Sequence, residues 1–378
     1  MKKKESYPGC SKLEKICIED ELNKSQRSQK RKLLSKQVKS IDLTKVRTID
    51  DLVTSYMSMS IQARAIGQCA SVYKNMLEDK ARPTVLLGLA GPLIAGGLRG
   101  VIRDMVAYGI VDTIVSTGAI LYQDIYQALG HKHYAGSPLA NDAHLRELFI
   151  NRIYDTYVDD EKFLKIDSWI GRFAHRLPQK SYSSREFLHL LGEKIKDENS
   201  ILGTAAKLGV PVFSPALNDS SIGIGLTEHY HLRKKEGKSP IVLDAIRDNY
   251  ELTQIIIKSR KTAAIYIAGG VPKNFINDSV VMANVLFGKN TGGHTYAFQL
   301  TTDSPHWGGL SGSTLDEATS WGKINKQATK AMAFVEPTVS LPLVVGFVLQ
   351  KELWKGRQRL SFKWKEDVLE SLQPFSVK

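Results

Sequence analysis

The stretch TVLLGLAGPLIAGGLRGVIRDMVAYGIVDTIVSTGA, Thr84 to Ala119, decides the fold. It opens with a continuous apolar run, Val85–Ala90, turns through Gly91-Pro92, continues in a helical pattern over Leu93–Tyr108, and re-enters an apolar run at Val111–Val115. Runs without alternation suit strands covered on both faces, so this is a strand–helix–strand unit of a parallel sheet. The same rhythm continues downstream, with runs at Val210–Phe213, Ala263–Ala268, Tyr296–Leu300 and Met332–Val335. Helical patterns lie at Ala119–Leu129, Ser184–Lys196 and Leu243–Ser259. The expectation is an α/β fold with a doubly wound, mostly parallel sheet. Upstream, Leu52, Val53, Met57, Ile61, Ala65 and Cys69 predict one helical pattern over Ile49–Met76, with Asp50-Asp51 at its positive end.

The 378 residues, 42% hydrophobic and 24% charged, suffice for a sizeable core and exclude a disordered or fibrous chain. The net charge of +13 is unevenly placed. Residues 1–40 hold twelve Lys/Arg against five Asp/Glu, a net +7, which leaves +6 for the other 338 residues. The body therefore lacks the basic, aromatic-interleaved stripe of a nucleic-acid binder. Residues 1–44 read as a basic N-terminal arm, flexible or partly helical, either solvated or packed on a neighbouring subunit, and residues 45–378 as one catalytic domain. Deleting residues 1–40 is expected to leave the fold intact. Three cysteines (Cys10, Cys17, Cys69) support neither a disulfide framework nor a zinc site, as suits a reducing cytoplasm. The longest apolar stretch, Val85–Leu98, is interrupted by Gly88, Gly91, Pro92, Gly96 and Gly97 and is too short to span a bilayer. No membrane, nucleic-acid or metal partner is expected, and the His131/His133 and His229/His231 pairs read as structural.

Ligands of open α/β sheets bind beyond the carboxyl ends of the strands. The loops there contain Gly91, then Thr117, Gly118 and Ala119, then Asp219, Gly269, Thr302 with Asp303, and Glu336 with Pro337. Small residues let backbone N–H groups reach a phosphate, although tight turns use them without any ligand. The GxGxxG fingerprint is absent; GIGL at Gly223–Leu226 has no third glycine.

The densest loop is SPHWGGLSGSTLDEATSWGK, Ser304–Lys323. Thr314 and Glu317 form a capping pattern that opens a short helix carrying Trp321; Gly322 ends it and leaves Lys323 just beyond. A lone lysine there is ordinarily a surface residue. An apolar indole beside it changes the reading, because a lysine attacks a carbonyl or imine only as the neutral amine. Trp321 can wall the amine or hold a cationic substrate over its ring, and Glu317 can bind an ammonium group.

The strings LRGVIRDMV, VDTIVSTGA, LRELFINRIYDTYV, GVPVFSPALNDSSIG, AGGVPKNFI and GGLSGSTLDEATSWGK, in this order over about Val85–Leu349, resemble the deoxyhypusine synthase family. The resemblance implies a Rossmann-like NAD site and a homotetramer with sites at subunit interfaces. It implies a reaction in which NAD dehydrogenates spermidine and Lys323 holds the aminobutyl group as an imine. That group then passes to a lysine of a translation initiation factor. Lys323 is the implied nucleophile, with Trp321 and Glu317 lining the polyamine pocket, and the loop residues named above are the implied NAD contacts.

Several positions depart from the better-known eukaryotic pattern. An expected Glu-Glu pair is Tyr122-Gln123, a Lys-His-His string is Lys273-Asn274-Phe275, and expected aspartates are Leu310 and Ile224. Gln123 and Asn274 are then the candidates at substrate-binding positions, with Asp155, Asp303, Asp316 and Glu317 as substitute carboxylates. A triamine carries about three charges at neutral pH, and each lost charged hydrogen bond weakens its pocket by roughly 1.5–3 kcal/mol. The PKN and HWGGLSG strings resemble the bacterial and archaeal branch. His306 is a candidate replacement base or a turn histidine. The acceptor stays open between a protein lysine and a small amine such as putrescine, which would give homospermidine.

Overall fold

The computed structural model describes residues 22–376. Contacts divide the chain into two units, 1–41 and 42–378. In the first, α1 (Lys24–Leu33) starts at Asn23, whose side chain forms a reciprocal capping box with Gln26. It buries no residue and places Lys30, Arg31 and Lys32 at its negative end. Cys10, Cys17 and the first part of the arm lie outside the described residues.

The second unit opens with α2 (Ile49–Tyr56) and α3 (Ile61–Glu78). The single helix expected over Ile49–Met76 is thus two. The chain breaks at Met57–Ser60, and α2 folds back so closely that a Cβ on Gly67 would lie 2.8 Å from Met57 Cγ. Next come β1 (Thr84–Leu89), α4 (Arg99–Ala107), β2 (Thr113–Ser116) and α5 (Gly118–Ala128). The helix expected from Leu93 begins only at Arg99, because Pro92 and the Gly96-Gly97 pair shape a turn first.

A small lobe follows, with β3 (Tyr134–Ala135), α6 (Asp142–Glu147), β4 (Ile150–Ile153) and β5 (Thr156–Asp159); its strands form an antiparallel sheet in the order β3-β5-β4. The chain returns through α7 (Asp160–His175), β6 (Ser181–Tyr182), α8 (Ser184–Gly192), α9 (Ile201–Leu208) and β7 (Val212–Phe213). It continues with α10 (Ser221–Lys235), β8 (Val242–Leu243), α11 (Ala245–Lys258), β9 (Thr262–Ile267), α12 (Gly270–Val285) and β10 (His294–Leu300). Last are α13 (Leu315–Ser320), β11 (Ile324–Ala333), α14 (Pro337–Gln350) and the hairpin β12 (Arg359–Lys365) with β13 (Val368–Phe375).

Six strands form one all-parallel sheet, ordered β11-β10-β9-β1-β2-β7. Successive residues feed opposite cores, as strand geometry requires. Val85, Leu87 and Leu89 pack with residues of α3, α4, α5 and α14, whereas Leu86 packs with α11 and α12. Both faces are therefore covered, which is why the runs carry no alternation. From β1 the chain winds outward to β2 and β7, then crosses back to β9 and on to β10 and β11. The β1/β9 boundary is the switch point, where a crevice opens beyond the carboxyl ends. No helix among the described residues is long and apolar enough to cross a membrane.

Candidate functional site

Lys323 is fixed by the chain ends around it. Thr314 Oγ1 accepts the Glu317 N–H at 3.0 Å and starts α13, and Trp321 closes it. Gly322 then takes φ +70°, a left-handed conformation that suits glycine. The Lys323 N–H donates back to Ala318 O at 3.1 Å, and its carbonyl accepts the His294 N–H at 3.0 Å. With its main chain held on both sides, the side chain is directed across to α12 and is only 15% exposed.

On α12, Asn274 and Asp278 stand one turn apart. Asn274 Nδ2 donates to Asp278 Oδ2 at 2.8 Å, and Lys323 Nζ pairs with Asp278 Oδ1 at 2.9 Å. Nζ also donates to Asn274 Oδ1 at 3.3 Å and lies 5.5 Å from the Trp321 ring centroid. These groups border a cleft of about 560 Å³, whose other walls include Val271, Phe275, Val281, Met282 and Leu310.

Lys273, the neighbour of Asn274, is buried. Its ammonium donates to Gln299 Oε1 at 2.9 Å, Leu310 O at 3.2 Å, Ser313 O at 2.6 Å and Ser313 Oγ at 3.0 Å. All four acceptors are neutral, and burial lowers its pKa to about 8, with the nearby Lys323 charge acting in the same direction. It latches the glycine-serine loop onto α12. Ser311 Oγ accepts the Gly270 N–H at 3.0 Å, and Gln299 Nε2 donates to Ala268 O and Ser311 O, each at 2.7 Å.

A second cleft, of about 670 Å³, lies over the loop after β1. It is bordered by Pro92–Gly97 residues, His133, Tyr134, Asp155, Glu336 and Thr338. Gly91, Thr117–Ala119, Asp219, Gly269, Thr302-Asp303 and Glu336-Pro337 all follow the carboxyl ends of parallel strands. The sheet thus gathers them along one edge. α5 and α10 start with no side-chain cap, so their first N–H groups can receive phosphate oxygens. The two starts touch: a Cβ on Gly118 would lie 2.4 Å from Ser220 Oγ. α4 likewise starts without a side-chain cap, whereas α12 is engaged by Ser311 and α14 by Glu336, which accepts the Thr338 N–H at 2.8 Å. Glycine-lined turns beside uncapped helix starts fit a dinucleotide.

Of the candidate residues, Lys323, Trp321 and Asn274 meet in the first cleft. Glu317 is exposed on α13 and is not among the residues bordering it. His306 sits exposed on a turn, its N–H donating to Ser304 Oγ at 3.3 Å, and does not border the cleft either. Gln123 is buried on α5 and its Oε1 accepts the Ala95 N–H at 3.1 Å, so it supports the loop after β1. Asp316 pairs with Lys330 at 2.8 Å. Asp219 is exposed in the turn that its N–H closes onto Ala216 O. Three of the paired histidines pack: His131 and His133 lie against Tyr126, and His229 Nε2 accepts the Ile241 N–H at 3.2 Å, while His231 is exposed. Asp278 and the Lys273 latch were missed in the sequence. The signal for Asp278 was its i,i+4 spacing from Asn274 on a helix.

The chain matches the family model described as deoxyhypusine synthase over residues 51–348. It is 42% identical, over 85% of its length and 95% of the relative's, to a protein named probable deoxyhypusine synthase 2 from Methanosarcina acetivorans. It is also 42% identical to a deoxyhypusine synthase-like protein from Chlorobaculum parvum, over 88% of this chain and 95% of the other. A solved structure, of a putative deoxyhypusine synthase from Entamoeba histolytica, shares the fold with a TM-score of 0.57 at 20% identity, covering 83% of this chain and 97% of that one. Two relatives at this identity and a model spanning most of the chain leave one conclusion: this chain belongs to the deoxyhypusine synthase family.

Proposed function

We propose that this chain is an NAD-dependent aminobutyltransferase that takes the aminobutyl group of spermidine onto Lys323 as an imine and hands it to the lysine of a translation initiation factor. The observation that carries the reading is the placement of Lys323 Nζ, within reach of Asp278 and Asn274, against Trp321 in an apolar cleft. NAD, when bound, supplies the hydride acceptor. Thr117, Gly118 and Ala119 with the start of α10 are the groups to hold its phosphates, and Asp219 stands in the adjoining loop for a ribose.

The chain's own residues do the rest. The amine must lose a proton before its lone pair attacks, and the Asp278–Asn274 pair fixes where Nζ points meanwhile. Trp321, its ring centroid 5.5 Å from Nζ, walls one side of the amine.

A small amine acceptor such as putrescine is the second reading. Incubating the protein with NAD and labelled spermidine and reducing with borohydride should label Lys323 and release NADH, and Lys323→Arg should abolish the label. Absence of both under any polyamine would refute the enzyme reading. Adding the factor or putrescine before reduction decides the acceptor by which one carries the label away.

A further inference from the structure

We propose that Asp278 is the counter-ion of the protonated imine on Lys323, held in position by Asn274. The inference rests on Lys323 forming an imine, as the function proposed above requires, and adds the residue that stabilises it.

The nitrogen of Lys323 is positive as an ammonium group and positive again as a protonated imine, and its side chain is only 15% exposed. A cation so enclosed needs an anion, because water cannot solvate it fully. Among the described residues bordering the cleft, Asp278 is the one carboxylate. The other charged group on this part of α12 is Lys273, a buried cation that adds to the positive field. Asp278 Oδ1 is 2.9 Å from Nζ, while its second oxygen is taken by Asn274 Nδ2 at 2.8 Å, which fixes the rotation of the carboxylate. Asn274 therefore acts as a positioning residue through Asp278.

In the transfer, the neutral amine of Lys323 adds to the carbon of an oxidised amine. A new C–N bond forms, and the old C–N bond breaks as the departing amine takes up the proton Lys323 released. The nitrogen left on Lys323 is a protonated imine, its charge matched by Asp278 throughout. Holding the proton on the imine keeps its carbon electrophilic for attack by the acceptor amine.

The test is independent of polyamine turnover. Salicylaldehyde is condensed with the full chain, borohydride reduction and mass analysis of one portion confirm the imine at Lys323, and the remainder is titrated by the absorbance that separates protonated from neutral imine. Lys323→Arg supplies the background. Asp278→Asn should lower the midpoint by about one pH unit, a tenfold loss of proton affinity, and Asp278→Glu should restore most of it. Asn274→Leu, which leaves the carboxylate but frees it, should give an intermediate shift. An Asp278→Asn midpoint equal to wild type, with an unchanged melting temperature, overturns the proposal. So does failure of Lys323 to form the imine at all. A wild-type chain that forms the aldehyde imine with the expected midpoints but no adduct from spermidine and NAD sinks the transferase reading and leaves the counter-ion standing.

Discussion

The N–H of His294 donates to the carbonyl of Lys323 across 3.0 Å, so the first residue of β10 pins the backbone of this lysine. His294 is itself fully buried, its Nδ1 2.8 Å from Thr262 Oγ1, and burial drives its pKa down to about 4. The unfolded chain takes up a proton here near the ordinary histidine value of ~6.5. Between that pH and about 4 the unfolded state binds more protons, so His294 contributes stability at neutral pH that is lost as pH falls. Asp248 works the other way, because burial raises its carboxyl to about 7. The histidine's share is therefore read as the difference between wild type and His294→Gln in urea unfolding. That difference should shrink by about 3 kcal/mol from pH 6.5 to 4, and a difference that does not change with pH would contradict the assignment.

Gly269 offers a steric test of the crevice. A Cβ there would lie 2.5 Å from Ser311 Cα, a backbone atom that cannot move without dragging the loop. Gly269→Ala should cost about 1–3 kcal/mol and break the Ser311–Gly270 hydrogen bond at the start of α12. Gly118→Ala meets the Ser220 hydroxyl instead, at 2.4 Å, and Ser220→Gly should relieve it. The melting temperature of Gly118→Ala should recover in the double variant, whereas Gly269→Ala has no such single rescue. Equal melting temperatures for Gly269→Ala and wild type would show that the loops are looser than this packing.

Much of the sheet was legible because its strands are buried on both faces, which writes apolar runs directly into the chain. β11 was read only at Met332–Val335 because Ile324–Ala333 is an edge strand whose early residues, Asn325, Lys326 and Gln327, face outward or sideways. The C-terminal hairpin went unread although Leu360, Phe362 and Trp364 alternate with polar residues, the mark of a half-buried strand. Lys323 was legible from local rules, a cap, an indole and a glycine stop. Asp278 was not, because a lone aspartate within a helix reads as solvated until tertiary packing brings a lysine 45 residues later in sequence against it. Gln123 illustrates the converse: its position suggested substrate, and its hydrogen bond serves a loop.

Lys273 should report its burial through alkaline pH. The folded chain sheds this proton near pH 8, the unfolded chain near the ordinary ~10.4. In that window the unfolded state holds more protons, so wild-type stability rises with pH relative to Lys273→Met. The variant should also be less stable at pH 7.5 by about 1–3 kcal/mol, since Leu310 O and Ser313 O lose their donor. Denaturant unfolding at pH 7.5 and 10 measures both. A gap that fails to widen at pH 10 would mean that the ammonium is better solvated than its four neutral acceptors allow.

Glu251 tests how the C-terminal hairpin is tied to the domain. Its fully buried carboxylate pairs with Arg185 at 2.6 and 3.1 Å and with Arg247 at 2.9 Å. Arg185 in turn lies 4.1 Å over the Trp364 ring and donates to Glu366 O at 2.9 Å, so one carboxylate orients the guanidinium that clasps the hairpin. Removing the charge but not the shape leaves the buried Arg185 without its carboxylate, while Arg247 keeps Glu186 at 3.1 Å, and Glu251→Gln should cost about 3–5 kcal/mol. The Glu251 charge also helps burial hold the Asp248 proton in place. Once it is gone, Asp248 ionises more readily and recovers part of the lost charge. Glu251→Gln combined with Asp248→Asn should therefore be less stable than the two single variants predict by addition, by roughly 1 kcal/mol. Strict additivity in denaturant unfolding followed by tryptophan fluorescence would show that Asp248 does not share the work of neutralising Arg185.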